Sequence, residues 1–344
     1  MKLSCVSRVL HPRQEFRISR GRRAEVRNVF VRLEKDGVAG YGEASPNAFY
    51  RETWEGVTGL IEGARPRIEA LTLSSTADIA TAWSELWPEL APSRAAQCAV
   101  DLALWDWLGR KNGVSVCEVA WGRPPASVPT FCTIGLSTAE ELREKIEELQ
   151  SFPQIKIKSN AAADFGPIRQ VRAVSSALLA VDANAAWSAE SLGRLSQELA
   201  ECGVAFIEQP LPPAEDHLLR EARSCLPLIA DESCVTEADV ERVAGCFAGF
   251  NIKLVKCGGL TPALRMIRRG RELGCKIMVG CMLESSALIA AGAVVAQGTD
   301  YADLDGAWLI ADDPVRGWRF SEGVLIPPET AGLGVEPLPG LFED

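Results

Sequence analysis

Eight short apolar runs recur at near-constant spacing through the second part of this chain, and that period constrains the fold more than any other feature. The runs end near Ile134, Lys158, Asp182, Glu208, Asp231, Lys253, Gly280 and Asp305, at intervals of 24, 24, 26, 23, 22, 27 and 25 residues. Such an interval holds one strand, one helix and the two loops that join them. Eight units predict an α/β fold, a (β/α) barrel over residues 125–320. The competing arrangement is an open doubly wound sheet, but no Gly-x-Gly-x-x-Gly follows an early strand.

The residues before the repeat follow a different pattern. "KLSCVSRVL" and "EVRNVFVRLEKDGVAGYGEA" alternate as strands do, with "KDG" as a hairpin turn. Residues 51–120 read as helices. The clearest is "SRAAQCAVDLALWDWLGRKNG", with Ser93 placed to cap its start and Gly113 to stop it. Strands followed by helices predict an α+β capping domain over residues 1–124. The turn formers of "GRPPASVP" mark its boundary, and the proline-rich segment 321–344 is expected to pack back on the cap.

Composition removes several function classes. With 344 residues, 47% of them hydrophobic and 24% charged, the chain is long enough for a large core beside a smaller one. A net charge of −10 with no basic run argues against nucleic acid or an anionic membrane as partner. No apolar stretch approaches the roughly 20 residues of a membrane span, and the first residues lack a signal-peptide core. A cytoplasmic location is expected. The 11 cysteines form no Cys-x-x-Cys pair and read as reduced core residues. Only His11 and His217 are present, which leaves little room for histidine chemistry.

Polar residues sit where the predicted strands end, the face on which barrel enzymes carry their active sites. "LLAVDAN" ends in Asp182, "VAFIEQP" in Glu208 and "PLIADES" in Asp231. One acid at such a place could simply cap the next helix. Three on consecutive strands at matched depth would repel one another unless a cation sits between them. An all-oxygen set with room left for water and substrate suits one Mg²⁺ per subunit.

Lysines flank these acids. "QIKIKSN" places Lys156 and Lys158 on one face of a strand, just before the Asp182 strand, and Lys253 ends the strand after Asp231. The order is base, three metal ligands, base. Lys256, three residues on, reads as a surface lysine whose ammonium reaches solvent. Burial, the charge of Lys156 and the metal are together expected to bring Lys158 to about 7–8, where it works as a base. A substrate carboxylate at the metal would then lose its α-proton to one lysine and regain one from the other. That is racemisation or epimerisation, and with one base alone it would be β-elimination.

The chain resembles the enolase superfamily and, within it, the muconate-lactonizing-enzyme subgroup, whose sites use lysine bases with Mg²⁺. The resemblance covers nearly the whole chain and implies a modified (β/α)8 barrel with an α+β cap. It implies Lys156, Lys158 and Lys253 as catalytic residues and Asp182, Glu208 and Asp231 as metal ligands. The closer likeness is to dipeptide epimerases. "YADLDG" (301–306) resembles their Asp-x-Asp motif, which would place Asp303 and Asp305 on one side of a strand to hold a substrate α-ammonium. "VGCMLESS", "ADESC" and "NIKLVKCGGLTPAL" also fit.

The resemblance implies an isomerase that inverts the second α-carbon of a dipeptide, with L-Ala-L-Glu and L-Ala-D-Glu as the expected pair, as in recycling of cell-wall peptides. In "FRISRGRRAE" (16–25), a substrate-covering loop by resemblance, Arg17, Arg20, Arg22 and Arg23 could meet a γ-carboxylate. Arg23 is the first choice by spacing and Arg20 the second. A homo-oligomer is expected on the same ground. The alternatives are an o-succinylbenzoate synthase, an N-succinylamino acid racemase or a cycloisomerase, none of which handles a free α-ammonium. A non-catalytic metal-binding scaffold would leave both lysines without a role.

Overall fold

The computed structural model describes residues 1–344 except Glu15, Ser19, Arg20 and Asp344, and for 16–18 and 21–23 the backbone only. The cap begins with three antiparallel strands in the order β1 (Lys2–Leu10), β2 (Val26–Lys35), β3 (Val38–Ala44). Between β1 and β2 a short hairpin pairs Phe16–Ile18 with Gly21–Arg23. Asp36 and Gly37 join β2 to β3 with φ of 54° and 75°. Two positive φ values in a two-residue loop match the twist of the strands it connects.

Three helices of the cap follow: α1 (Trp54–Gly63), α2 (Thr76–Leu90) and α3 (Arg94–Asn112). The Ser93 hydroxyl accepts from the Ala96 N–H at the start of α3, and Gly113 ends it in the left-handed region. Fifteen consecutive residues of α3, Ala95–Gly109, are buried. One side lies directly on β3, where only glycine leaves room: a Cβ on Gly42 would stand 2.0 Å from the Ala99 carbonyl oxygen.

Eight parallel strands follow: β4 (Cys132–Ile134), β5 (Gln154–Lys158), β6 (Leu178–Asp182), β7 (Val204–Glu208), β8 (Leu228–Ala230), β9 (Gly249–Lys253), β10 (Lys276–Gly280) and β11 (Tyr301–Asp303). Each pairs with the next in sequence, and the Phe131 N–H donates to the Ala302 carbonyl at 2.8 Å to join the first to the last. The period therefore made a barrel. Two of the eight strand ends differ from the sequence reading. Asp231 lies one residue past β8, and Asp305 two past β11, immediately before the short helix Gly306–Leu309.

Strand parity sets the interior. Ala180, Phe206, Ile229 and Met278 are all fully buried and form one apolar cluster with Phe131. Each stands two residues before Asp182, Glu208, Asp231 or Gly280 and faces the same way. The acids therefore rest on an apolar floor. On β5 and β9 the same layer holds Lys156 and Asn251 instead, both buried. The C-terminal segment crosses back to the cap: the Leu333 N–H donates to Asp106 Oδ1 of α3 at 2.6 Å, and Arg8 of β1 donates to the Leu341 carbonyl at 2.6 Å.

Candidate active site

Register brings the site residues to one end of the barrel. Lys158 pairs with Asp182, Asp182 with Glu208, and Lys253 reaches Asp303 through Gly280. The cavity above them measures about 530 Å³. Lys156, Lys158, Asp231, Lys253, Asp303 and Asp305 line its barrel side. Val26 and residues 45–50 of the cap line the other side. Tyr50 stands close enough to Lys253, Lys256 and Asp231 to feel their charges, and burial pushes its phenol up to about 12.

The three acids are almost fully enclosed, at 0% exposure for Asp182 and Glu208 and 2% for Asp231. Lys158 donates to Asp182 Oδ2 at 2.5 Å, and Lys253 donates to Asp231 Oδ2 at 2.9 Å. Glu208, between them, accepts from Asn251 Nδ2 at 2.7 Å and from Lys156 at 3.3 Å. Lys156 also donates to Asp303 and lies 3.9 Å from Asp182.

Burial and charge compete at each group. Burial alone would raise the Asp231 carboxyl, but Lys253 and Lys256 outweigh it and hold it well below the ordinary range. Asp182 is lowered in the same way by Lys158 and Lys156. Glu208 goes the other way, up to about 7, because burial and the negative charge of Asp182 exceed what Lys156 returns. Its share of Lys156 is small, since that ammonium belongs first to Asp303. Burial would lower Lys156 and Lys253, yet the carboxylates around each hold both well above the ordinary lysine range.

Three sequence readings need correction. Lys156 was expected to press its charge on Lys158, but it divides that charge among Asp303, Glu208 and Asp182. Lys256 is not a surface lysine. It is 1% exposed and donates to Asp231 Oδ1 at 2.6 Å. The snorkelling reading failed because the turn Leu254–Cys257 points Lys256 inward, under Asp231. Asp303 and Asp305 do not share a strand face, because β11 ends between them. Asp305 instead accepts from the Thr133 N–H at 2.7 Å.

Asn251 was also missed. It precedes Lys253 by two residues and so shares its face, a signal the alternation carried. Asn184 donates to Asp182 Oδ2 at 3.2 Å, a local pairing across two residues that the sequence reading passed over, whereas Thr133 gave no signal, since its partner Asp305 arrives through tertiary structure. The loop arginines Arg17, Arg20, Arg22 and Arg23 have side chains outside the described residues.

A hard divalent cation fits this donor set. The acids are carboxylates only, desolvated, adjacent and in register, and Glu208 is the one whose ionised form the lysines support least. Among the described residues no three such groups already converge on one point. Lys158 and Lys253 hold an oxygen each of Asp182 and Asp231. A second acceptor also stands ready: the buried Asp303 Oδ1 has no hydrogen-bond partner. A substrate ammonium would satisfy it.

Comparison with known proteins agrees with this geometry. Residues 3–120 match the mandelate racemase / muconate lactonizing enzyme N-terminal domain, and residues 137–340 match the enolase C-terminal domain-like family. An L-Ala-D/L-amino acid epimerase from Maribacter is 39% identical over 97% of this chain and 99% of its own. An Agrobacterium tumefaciens enolase-family protein with homology to dipeptide epimerases, solved with sodium and L-Ala-L-Glu, is 34% identical. It superposes with a TM-score of 0.87 over 96% of this chain and 99% of its own. The Methylococcus capsulatus dipeptide epimerase, complexed with Mg and L-Arg-D-Lys, is 31% identical, with a TM-score of 0.90 over 97% of this chain and 98% of its own. The chain belongs to the enolase superfamily, in its mandelate racemase/muconate lactonizing enzyme branch, and groups there with the dipeptide epimerases.

Proposed function

We propose that this protein is a Mg²⁺-dependent dipeptide epimerase that inverts the α-carbon of the second residue, with L-Ala-L-Glu and L-Ala-D-Glu as its substrate pair. The observation that carries this reading is the placement of Lys158 and Lys253. They end β5 and β9, four steps apart around eight strands, and so stand on opposite sides of the three acids. Asp182, Glu208 and Asp231 would hold the metal. When bound, Mg²⁺ offsets the negative charge that builds on the substrate carboxylate as the α-proton leaves.

Each lysine serves one face of the α-carbon. One takes the proton and the other, still an ammonium, delivers one opposite. Which lysine acts as base depends on the epimer bound. Lys156 stays charged through its three carboxylate partners and supplies a fixed positive charge beside the reacting carboxylate. Asp303, with Asp305 beside it, takes the substrate α-ammonium, which favours a free dipeptide over an acylated amino acid. The γ-carboxylate of the second residue is assigned to Arg23, with Arg20 next. A cytoplasmic homo-oligomer that works in cell-wall peptide recycling belongs to the same reading and rests on family resemblance.

The test is incubation of L-Ala-L-Glu with enzyme and Mg²⁺ in D₂O, followed by NMR and mass spectrometry. Inversion at the second residue with one deuterium gained is expected. No deuterium from any of a panel of L,L-dipeptides would overturn the assignment. Reaction with L-Ala-L-Leu but not L-Ala-L-Glu would overturn the glutamate preference alone.

A further inference from the structure

The ladder between β7 and β8 stops just as the acids are reached. Ile207 and Glu208 pair with Leu228 and Ile229, and the Gln209 N–H still donates to the Ile229 carbonyl at 2.9 Å. There the chain leaves β7: Gln209 has φ of 35°, and Pro210 follows with no N–H to give. The Asp231 N–H, next in line, meets the Gln209 side chain instead. Gln209 Oε1 accepts from the Asp231 N–H at 2.9 Å and from the Ser233 N–H at 3.0 Å.

This carboxamide is enclosed and fully engaged. Gln209 is 0% exposed. Its Nε2 donates to the Leu211 carbonyl at 2.7 Å and to the Ser233 hydroxyl at 2.8 Å. A carboxamide offers two acceptor and two donor positions, and here all four are taken. The partners also fix which way it faces, since main-chain N–H groups only donate and the Leu211 carbonyl only accepts. The Ser233 hydroxyl donates in turn to Asp216 at 2.8 Å, and Arg242 donates to the other Asp216 oxygen at 2.8 Å. Gln209 has no polar position left for a metal or a substrate, and it is absent from the cavity wall.

The same residue reaches the third acid. The Gln209 carbonyl accepts from the Ala185 N–H at 2.8 Å, in the loop that follows Asp182. Asn184 and Ala185 of that loop have φ of 47° and 60°. Left-handed backbone at residues other than glycine is costly and persists only where the surroundings impose it. Gln209 therefore follows Glu208 directly and is bonded to the loops that carry Asp182 and Asp231. We propose that Gln209 is a positioning residue for the metal: its carboxamide holds the main chain of Asp231 at the depth of Asp182 and Glu208, so that the three carboxylates meet one cation. This rests on the reading above, in which those three acids hold Mg²⁺.

The test is Mg²⁺ affinity by calorimetry, at a temperature where circular dichroism shows each variant folded. Gln209→Met is unbranched and close in length, so it keeps the bulk and loses all four side-chain hydrogen bonds. Its Kd for Mg²⁺ should rise about tenfold or more, the usual consequence of losing a group that orients a metal ligand. Mg²⁺ demands near-ideal octahedral geometry, which an unanchored Asp231 no longer supplies. Ser233→Ala removes one of the four bonds and leaves both N–H groups on Oε1, so its Kd should rise clearly less. Gly42→Ala, in the cap core, controls for stability alone and should shift Kd by less than about threefold.

Gln209→Asn serves as the test if Gln209→Met fails to fold. Its shorter amide tolerates a positive φ but falls one methylene short of the Asp231 and Ser233 N–H groups, so the same loss is expected. A role in stability alone would lower the urea midpoint without moving Kd. A Kd for the Gln209 variant no higher than that of Gly42→Ala, or an equal rise in Ser233→Ala, would overturn the proposal. Undiminished Mg²⁺ binding in Asp231→Asn would do so as well, since Gln209 would then have no ligand to position. If the parent itself binds no Mg²⁺, the metal assignment falls and takes this inference with it.

Discussion

Lys156 and Lys158 stand two residues apart on one strand, yet their surroundings assign them different work. Lys156 lies among three carboxylates and keeps its proton. Lys158 has one partner, Asp182, and opens on the cavity. Asp303 connects this layer to substrate, since one oxygen takes Lys156 and the other has no partner. Asp303→Asn should therefore raise KM for free dipeptides by an amount worth several kcal/mol, because a desolvated charge pair loses one member. N-acetyl dipeptides measured beside free ones check this; equal use of both by the parent enzyme would mean the ammonium is held elsewhere. For the acids, Asp182→Asn, Glu208→Gln and Asp231→Asn should each weaken Mg²⁺ binding in calorimetry while circular dichroism stays unchanged. Undiminished Mg²⁺ binding in all three would move the metal to another site.

At the scale of elements, the interval between strand ends was legible because every βα unit must span the same barrel wall. Six of the eight ends fall on the expected residue. Asp231 and Asp305 lie beyond their strands, where their carboxylates meet Lys253 and Lys256 and the Thr133 N–H, and polar residues alone do not mark the last ladder bond. Lys256 was unreadable for a related reason: its three acceptors lie on β9 and in the loop after β8, so only the fold brings them together. Helix α3 was legible by its caps, Ser93 and Gly113, although burial on nearly all sides removes the usual amphipathic stripe. Its close approach to β3 was not legible, because "YGEA" gives no sign of what covers it. Gly42→Ala should push α3 from β3 and cost about 1–3 kcal/mol, the range for overpacking a closed core. Urea unfolding followed by circular dichroism would show this as a lower midpoint at constant slope, and an unchanged midpoint would show that the contact yields.

At the scale of the whole molecule, cap and barrel meet through a buried carboxylate. Glu43, on β3, accepts from Asn28 Nδ2 at 2.7 Å, from the N–H and hydroxyl of Ser285 at 3.0 and 2.5 Å, and from the Leu288 N–H at 3.2 Å. Ser285 and Leu288 belong to the barrel, so one side chain of the cap fixes the loop after β10. That loop carries Met282 and Leu283 into the cavity wall. Despite these donors, burial pushes the Glu43 carboxyl up to about 7 from an ordinary 4.5. The folded protein then holds a proton that the unfolded chain has already lost. Where the native state binds more protons, stability falls as pH rises. The contribution is fully present below about pH 4.5, declines between there and about pH 7, and is absent above. For one group shifted by that amount the loss is about 3 kcal/mol, at 1.36 kcal/mol per unit. Glu43→Gln cannot titrate. Its unfolding free energy should therefore lose less than the parent's across the same window, whatever its starting value, since other groups cancel in the difference. Urea unfolding of both proteins at pH 4.5, 6 and 8 in constant Mg²⁺ measures it. Parallel curves would mean that Glu43 is ionised throughout and that its four donors, not burial, set its charge.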